Sequence, residues 1–529
     1  MIFLSVMRRS LLLSLGLICC CTSVVAGESE TAPADVHFNI WEFQVEGATL
    51  LPRASVEGVV YPFMGSDKTL ADVEAAKRAL EQLYRDAGYA AVLVNIPEQE
   101  ANEGVIRLTV TESKIDRFRI TGTRYSSPRD LRAELPALQP GTPLHLPTLQ
   151  AQLAQAGRLA PERVLNPIFR PGLEPGTMEA ELKVEDGVPL HASLGFNNRY
   201  TLGSSHLRME MGLSYANLWQ RHHNISVNYQ SSPQNWADVR VWSLGYSIPV
   251  DKAYWNFSAV RSASHSAAFG SLGVLGNSDI YGINWQHPLS AREGVNQGIS
   301  IGVQYKDQQQ NVLLPDGNGI STPISYSVAQ AQFNRSQQDE TGTTSYSLGA
   351  SFGLRLFSDS LQVFDDKRSQ SRPSFSHFNG DVERLQAGFM KTTWRFHLAA
   401  QFSDSPLISN EQFNTGGADT VRGYPESQVM GDDAVLANLE LRSPPLMPAR
   451  WSSLYDLQLL VFADSAWLKR HNSLASEEPR QHLSGVGIGA RLVMAKNINA
   501  VLDWATPLED AGSIKRSDAR THFNVRYEF

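Results

Sequence analysis

From Pro189 to the last residue, apolar and polar side chains alternate with a period of two, and this pattern constrains the chain more than any other feature. Leu207, Met209, Met211, Leu213 and Tyr215 alternate with Arg208, Glu210, Gly212 and Ser214. The pattern recurs at Ile299, Ile301, Val303 and Tyr305, at Trp394, Phe396, Leu398 and Ala400, and at Val486, Ile488, Ala490 and Leu492. The chain closes on Phe523, Val525, Tyr527 and Phe529. Period two sends alternate side chains to opposite faces of a strand. Turn residues such as Ser231-Ser232-Pro233 and Pro315-Asp316-Gly317-Asn318-Gly319 separate the runs. About sixteen strands fit, at about 21 residues for each strand with its connection.

A soluble sandwich also alternates, but it has no use for so many strands with one aromatic-rich apolar face. A bilayer does. Every backbone polar group inside it must be paired, so strands cross only as a closed barrel. Spanning helices are excluded, because they need repeated apolar runs of about 20 residues. A net charge of −8 gives no basic stripe for nucleic acid.

The first 26 residues read as a secretory signal peptide: Arg8-Arg9, an apolar stretch from Leu11 to Cys21, and a small-residue exit at Val24-Val25-Ala26. All three cysteines, Cys19, Cys20 and Cys21, fall inside it, so cleavage after Ala26 leaves a mature chain without thiols. A short segment, 27–37, follows.

Between this segment and the barrel the chain repeats itself. Phe38 to Thr111 reads strand, helix, helix, strand, strand, with an approximate capping box at Thr69 and Asp72. The apolar face of that helix carries Leu70, Val73, Leu80, Leu83 and Tyr84. Ile115 to Glu185 repeats the order, with a helix over about Pro147 to Gly157. The expected modules are 38–113 and 114–187. Each has a small sheet, hence an open edge on which an extended peptide can pair.

Three motifs look chemical. Gly349-Ala350-Ser351-Phe352-Gly353 fits a nucleophile elbow, which needs a strand-to-helix turn, but here lies inside an alternating run that makes Ser351 a lumen-facing strand residue. Gly485-Val486-Gly487-Ile488-Gly489 resembles a nucleotide loop, yet no helix follows, and its glycines are expected to admit a close backbone. His222-His223 reads as a turn rather than a metal pair. No catalytic residue, cofactor site or metal site is expected.

The loop 405–432 is too long for an ordinary surface connection. It holds Phe413-Asn414-Thr415-Gly416-Gly417 and Val421-Arg422-Gly423-Tyr424-Pro425, which suggest a compact tip folded inward. An arginine carried into a lumen needs a carboxylate. Parity along the strands turns Asp464, Glu440 and Asp503 inward.

Val421-Arg422-Gly423-Tyr424 before the twelfth strand, with Val461-Phe462-Ala463-Asp464, resembles the signature of the outer-membrane insertase and translocator superfamily. Gly47-Ala48-Thr49-Leu50-Leu51-Pro52, Pro97-Glu98-Gln99 with Gly104, and Pro171-Gly172-Leu173-Glu174-Pro175-Gly176-Thr177 resemble its two-partner secretion branch, the haemolysin secretion/activation and filamentous-haemagglutinin transporters. The resemblance implies an all-β transmembrane barrel of about sixteen antiparallel strands over 188–529 in the bacterial outer membrane. It also implies that the two α+β modules are periplasmic polypeptide-transport-associated (POTRA) modules, and that Arg422 pairs with Asp464 while Gly423 and Tyr424 shape the tip. The implied partners are a secreted haemagglutinin- or haemolysin-like β-helical exoprotein and outer-membrane lipid, with no nucleic acid and a monomeric translocator.

The chain departs from that family in places. The segment 27–37 is too short for the N-terminal plug helix and linker of many relatives, the usual Glu-Gly after the first module reads Glu112-Ser113, and Asp464 precedes Ser465-Ala466 where a small residue and Gly are common. The competing functions are an insertase or assembly factor of the same superfamily, an outer-membrane lipase or protease built on Ser351, and a diffusion porin.

Overall fold

A computed structural model describes residues 36–100, 103–160, 162–264, 267–269, 272–274, 277–289, 294–309, 311–313, 319–321, 323–447, 455–473 and 478–529. The leader reading, most of the segment after it, and the turn at 315–318 lie outside the described residues. The chain forms two compact units: 1–117 with 140–149 and 170–179, and 118–139 with 150–169 and 180–529.

In the first unit, strand Val105–Glu112 lies between Glu42–Glu46, which it pairs in parallel, and Val92–Asn95, which it pairs antiparallel. Helices Arg53–Val60 and Leu70–Asp86 supply Val56, Val60, Val73, Leu80 and Tyr84 to a core shared with Ile40 and Leu108. The expected capping box is present, with the Thr69 N–H donating to Asp72 Oδ2 at 2.9 Å. Leu70 departs from expectation: it is 59% exposed, because the first residue of the helix lies beyond the edge of the buried face. A strand the sequence reading lacked, Gly65–Lys68, pairs with Phe38–Ile40.

The repeat is visible in atomic detail. Gly47 has φ +83°, and a Cβ there would sit 2.3 Å from the Val110 carbonyl oxygen; Gly122 has φ +83° and meets the Val184 oxygen at 2.2 Å. Two residues beyond each valine, a carboxylate collects the next backbone N–H groups. Glu112 accepts from Thr49 and Leu50, and Asp186 accepts from Arg124, Tyr125 and Ser126. The second three-stranded sheet has Thr177–Asp186 between Lys114–Thr121 and Arg163–Pro171. The helix expected near 147–157 runs Leu146–Leu159, and a further helix, Pro128–Glu134, precedes it.

The second unit contains a closed barrel of sixteen antiparallel strands. Its first strand, Leu190–Asn197, pairs with its second, Arg208–Leu218, and with its last, Arg520–Glu528. The closing seam matches Asn197 with Asn524 and Ser193 with Glu528. Outward side chains are large and apolar: Leu213, Trp242, Phe257, Ile301, Leu348, Leu398, Val461, Ile488 and Trp504 are all exposed. Inward ones are mostly small or polar, apart from apolar groups such as Leu436, Phe462 and Leu468 that pack against the inward loop. At the end where the chain enters the barrel, connections are short, as at 251–252 and 340–341; the far end carries long ones. Among these the segment 355–375 folds a helix, Leu361–Lys367, whose Phe364 is buried with Ile324, Tyr326 and Val328 of the eighth strand, Ile324–Asp339.

Candidate functional site: the inward loop and its lumen clamp

The connection between the eleventh strand, Thr393–Ser403, and the twelfth, Asp433–Arg442, turns into the barrel. Phe413–Thr415 pairs with Val429–Gly431, making a stem that carries the tip. Val421 and Tyr424 are fully buried with Leu436, Ala466, Leu468 and Leu483, so apolar packing fixes the tip on both sides of Arg422. Tyr424 Oη donates to the Glu509 carbonyl at 2.8 Å, tying the tip to the connection after the fifteenth strand, Ile498–Pro507. Ala466, where the family pattern has Gly, fits within this packing, and Ser465 on the opposite face lies 2.9 Å from His482 Nε2.

The guanidinium of Arg422 is 3% exposed and grips Asp464 with Nε to Oδ2 at 2.7 Å and Nη2 to Oδ1 at 2.7 Å. The Arg422 backbone N–H adds a bond to Oδ2 at 3.1 Å. Nη1 donates to Glu440 Oε1 at 2.9 Å and lies 3.6 Å from Asp503 Oδ2. Phe462 stacks beneath it, with the guanidinium carbon 3.4 Å from the ring centroid. All three carboxylates read inward by strand parity are therefore gathered on one arginine. A buried charge is tolerated when it is paired and its hydrogen-bonding capacity is met, and both conditions hold.

Sequence reasoning missed several supports. Asn438 Nδ2 bridges Asp464 Oδ1, at 2.8 Å, and the Thr420 carbonyl, at 2.6 Å. His522 Nε2 accepts from the Gly423 N–H at 3.1 Å. The glycine run on the fourteenth strand, Arg480–Met494, does admit a close backbone: a Cβ on Gly485 would lie 2.1 Å from the Arg422 carbonyl oxygen.

Two further ion pairs hold the base of the loop. Arg368, just past the inward helix, donates to Asp432 at 2.5 and 2.6 Å. Lys306 Nζ donates to Glu411 Oε1 at 2.6 Å, and Tyr326 Oη donates to the same oxygen at 2.7 Å. Val363-Phe364, within the connection 355–375, is a sequence sign of this packing, but Leu356-Phe357 in the same connection are exposed and give the same sign.

At the entry end, the turn 219–222 meets the helix Pro128–Glu134. His222 Nε2 lies 2.8 Å from Glu134 Oε1, and Arg163 Nη2 donates to Glu134 Oε2 at 2.6 Å. Gln220 accepts from the Ser127 N–H and donates to the Tyr125 carbonyl, both at 2.9 Å. Burial would raise the Glu134 pKa, but the His222 hydrogen bond and the Arg163 charge outweigh it and hold the carboxyl below its usual range. His223 turns away to Tyr246 Oη at 2.6 Å, so the two histidines do not converge on a metal. No metal-holding group of His, Cys, Asp and Glu occurs among the described residues.

Ser351 lies in the ladder beside Gln330 and His377. Both ring nitrogens of His377 are engaged, Nδ1 by Asn379 at 2.8 Å and Nε2 by Glu411 at 3.4 Å, so the imidazole is not poised as a base for Ser351.

Comparison with known proteins agrees with this geometry. Residues 176–492 match the model of the haemolysin secretion/activation protein family ShlB/FhaC/HecB. The chain belongs to that family. Residues 38–113 match the ShlB-type POTRA domain. Outer membrane transporter CdiB of Dickeya dadantii (strain 3937) is 22% identical over 406 residues, spanning 75% of this chain and 70% of that protein. The heme/hemopexin transporter protein HuxB of Haemophilus influenzae (strain 86-028NP) is 20% identical over 462 residues, 85% and 79% of the two chains. Among solved structures, CdiB from Escherichia coli superposes with a TM-score of 0.66 at 18% identity, covering 96% of this chain and 93% of that one. BamA from Haemophilus ducreyi lacking POTRA domains 1–3 superposes with a TM-score of 0.58 at 13% identity, covering 93% and 100%. This member of the haemolysin secretion/activation family is an outer-membrane translocator of two-partner secretion, with its POTRA region in the periplasm. The family acts on secreted exoproteins. The entry end of the barrel is the periplasmic end, and the long connections face outside.

Proposed function

We propose that an unfolded exoprotein docks on two modules, 38–113 and 114–187, threads the lumen of the barrel 188–529 as a hairpin, and folds outside. The periplasm lacks ATP, so folding beyond the membrane supplies the direction by making return unfavourable. The docking surfaces are the edge strands Val92–Asn95 and Arg163–Pro171, each without a strand on its far side, where Leu93, Val164 and Ile168 are exposed. The cargo is a haemagglutinin- or haemolysin-like β-helical protein, the apolar outer face contacts outer-membrane lipid, and the translocator works as a monomer. The conserved-type pair Arg422 and Asp464, with Val421, Gly423 and Tyr424, braces the loop 405–432 and shapes the path. The observation that carries the reading is the buried clamp of Arg422 on Asp464, Glu440 and Asp503 inside a closed barrel. The test is co-expression of the full chain with a large exoprotein encoded next to it, followed by assay of the medium. Exoprotein in the medium only when the full chain is present supports the reading. Release without it, or retention of cargo binding after deletion of Phe38 to Asp186, rejects export or docking respectively.

A further inference from the structure

The lumen has two chemically different walls. Lys306 and Tyr326 reach Glu411 of the inward loop, which fixes the inward parity of the seventh strand, Val295–Gln309, and the eighth. Register then carries that parity to their neighbours: Gln304 lies opposite Gly282 and Val328, and Gln330 opposite Gly302 and Ser351. From the third strand, His223–Ser231, to the ninth, Gly342–Leu354, the inward side chains are chiefly Ser, Asn, Gln and Gly, and the apolar ones, Val239, Val241, Val260, Ile280, Tyr326 and Val328, gather toward the outer end. Lys306 is the one charged residue among the described inward positions of these strands, and Glu411 already neutralises it. From the tenth strand, Ser376–Ala387, onward the wall is densely ionic. Glu383, Arg395, Glu440, Arg442, Arg491 and Asp503 join in ion pairs, and the loop 405–432 lies against this side.

The neutral wall is open. Ser258, Asn284, Ser300, Gln304, Gln330 and Gln332 line one cavity, and Asn284 and Gln332 are exposed within it. Gln304 Oε1 is buried without a hydrogen-bond partner.

Resting on the export reading above, we propose that the neutral wall of strands three to nine is the track along which the extended cargo backbone slides. Amides and hydroxyls both donate and accept, so they match any peptide group without regard to side-chain sequence. A fixed charge in the same place would hold opposite charges and repel like ones, stalling part of every sequence. The ionic wall cannot serve, since its groups are committed to each other and to Arg422. Sliding needs many weak, equivalent contacts, and a surface of small neutral polar groups supplies them.

The test uses the full chain in lipid vesicles with Cys19, Cys20 and Cys21 replaced by alanine and one cysteine introduced: Ser300→Cys or Gln332→Cys on the neutral wall, Val501→Cys on the other. The probe is an uncharged peptide of Gly, Ser, Thr and Asn, about 30 residues long and so able to span a bilayer core of about 30 Å as a hairpin. It carries one cysteine activated as a thiopyridyl disulfide. Rates of mixed-disulfide formation are divided by each site's rate with a small methanethiosulfonate reagent. The expected result is a normalised rate about tenfold higher at 300 and 332 than at 501, the ratio that one to two net hydrogen bonds would produce. Equal rates, a faster rate at 501, or no adduct at any site overturns the proposal. If the wild-type chain still exports exoprotein, the translocation reading survives that failure; if it does not, both fall.

Discussion

Arg422 and Asp464 meet fork to fork, 2.7 Å apart at both contacts, and the Arg422 backbone N–H closes a third bond on the same carboxylate. Side chain and main chain are thus fixed by one group, which sets the position of the tip as well as its charge balance.

Asp464→Ala leaves Arg422 buried with only its outer partners. The expected cost to loop packing is about 3–5 kcal/mol, the range for breaking a buried pair. Arg422→Lys keeps the charge but loses the planar fork and is expected to fail nearly as badly. Both variants should assemble as barrels, give reduced secretion, and show new protease cleavage within 405–432.

Gly485→Val leaves every charge in place and puts a side chain where the Arg422 carbonyl sits. The same protease sensitivity is expected from it. Normal secretion by Gly485→Val would show that the seat of the tip tolerates displacement.

Glu411→Ala removes the partner of Lys306 and Tyr326 at the base of the loop. The tip clamp is untouched, so the expected outcome is larger and more frequent conductance steps in planar bilayers with the tip still protected from protease.

His222→Ala and Gln220→Ala uncouple the turn 219–222 from the helix Pro128–Glu134. Spin-label distances between that helix and the turn should broaden in each variant, and secretion should fall, with heat-modifiable barrel mobility on gels unchanged.

Acidification should loosen the strand-end carboxylates of the modules. Burial would raise the Asp186 pKa, but the N–H groups of Tyr125, Arg124 and Ser126 outweigh it and hold it below the ordinary 3.8. Its folded pKa is depressed, so its stabilisation is complete above the ordinary value and is lost as pH falls through the lowered one. Hydrogen exchange at 124–126, corrected for intrinsic rate, should therefore be flat from neutral pH down to about 4 and rise below it. Asp186→Asn should show fast exchange at every pH.

The barrel was legible because period-two alternation is imposed on every strand by lipid on one side and water on the other. The inward residues Asp464, Glu440 and Asp503 followed from parity alone, and Arg422 from the need of a buried cation for partners. Asn438 and His522 did not, since a polar inward residue in a wet lumen carries no sign of what it touches. Leu70 misled because helical periodicity marks a face without marking where that face ends. The contacts of Glu134 with His222 and Arg163, and of Asp432 with Arg368, join segments far apart in the chain, and no local pattern records them. The capping box at Thr69 and Asp72 is local, and it was readable.

Phe364 and its neighbours, wedged against Ile324, Tyr326 and Val328, give the inward face of the eighth strand a dry, apolar seat at its outer end. Arg368, at the end of the helix that carries Phe364, holds Asp432, so any polypeptide that displaces the helix must also part an ion pair at the foot of the loop 405–432.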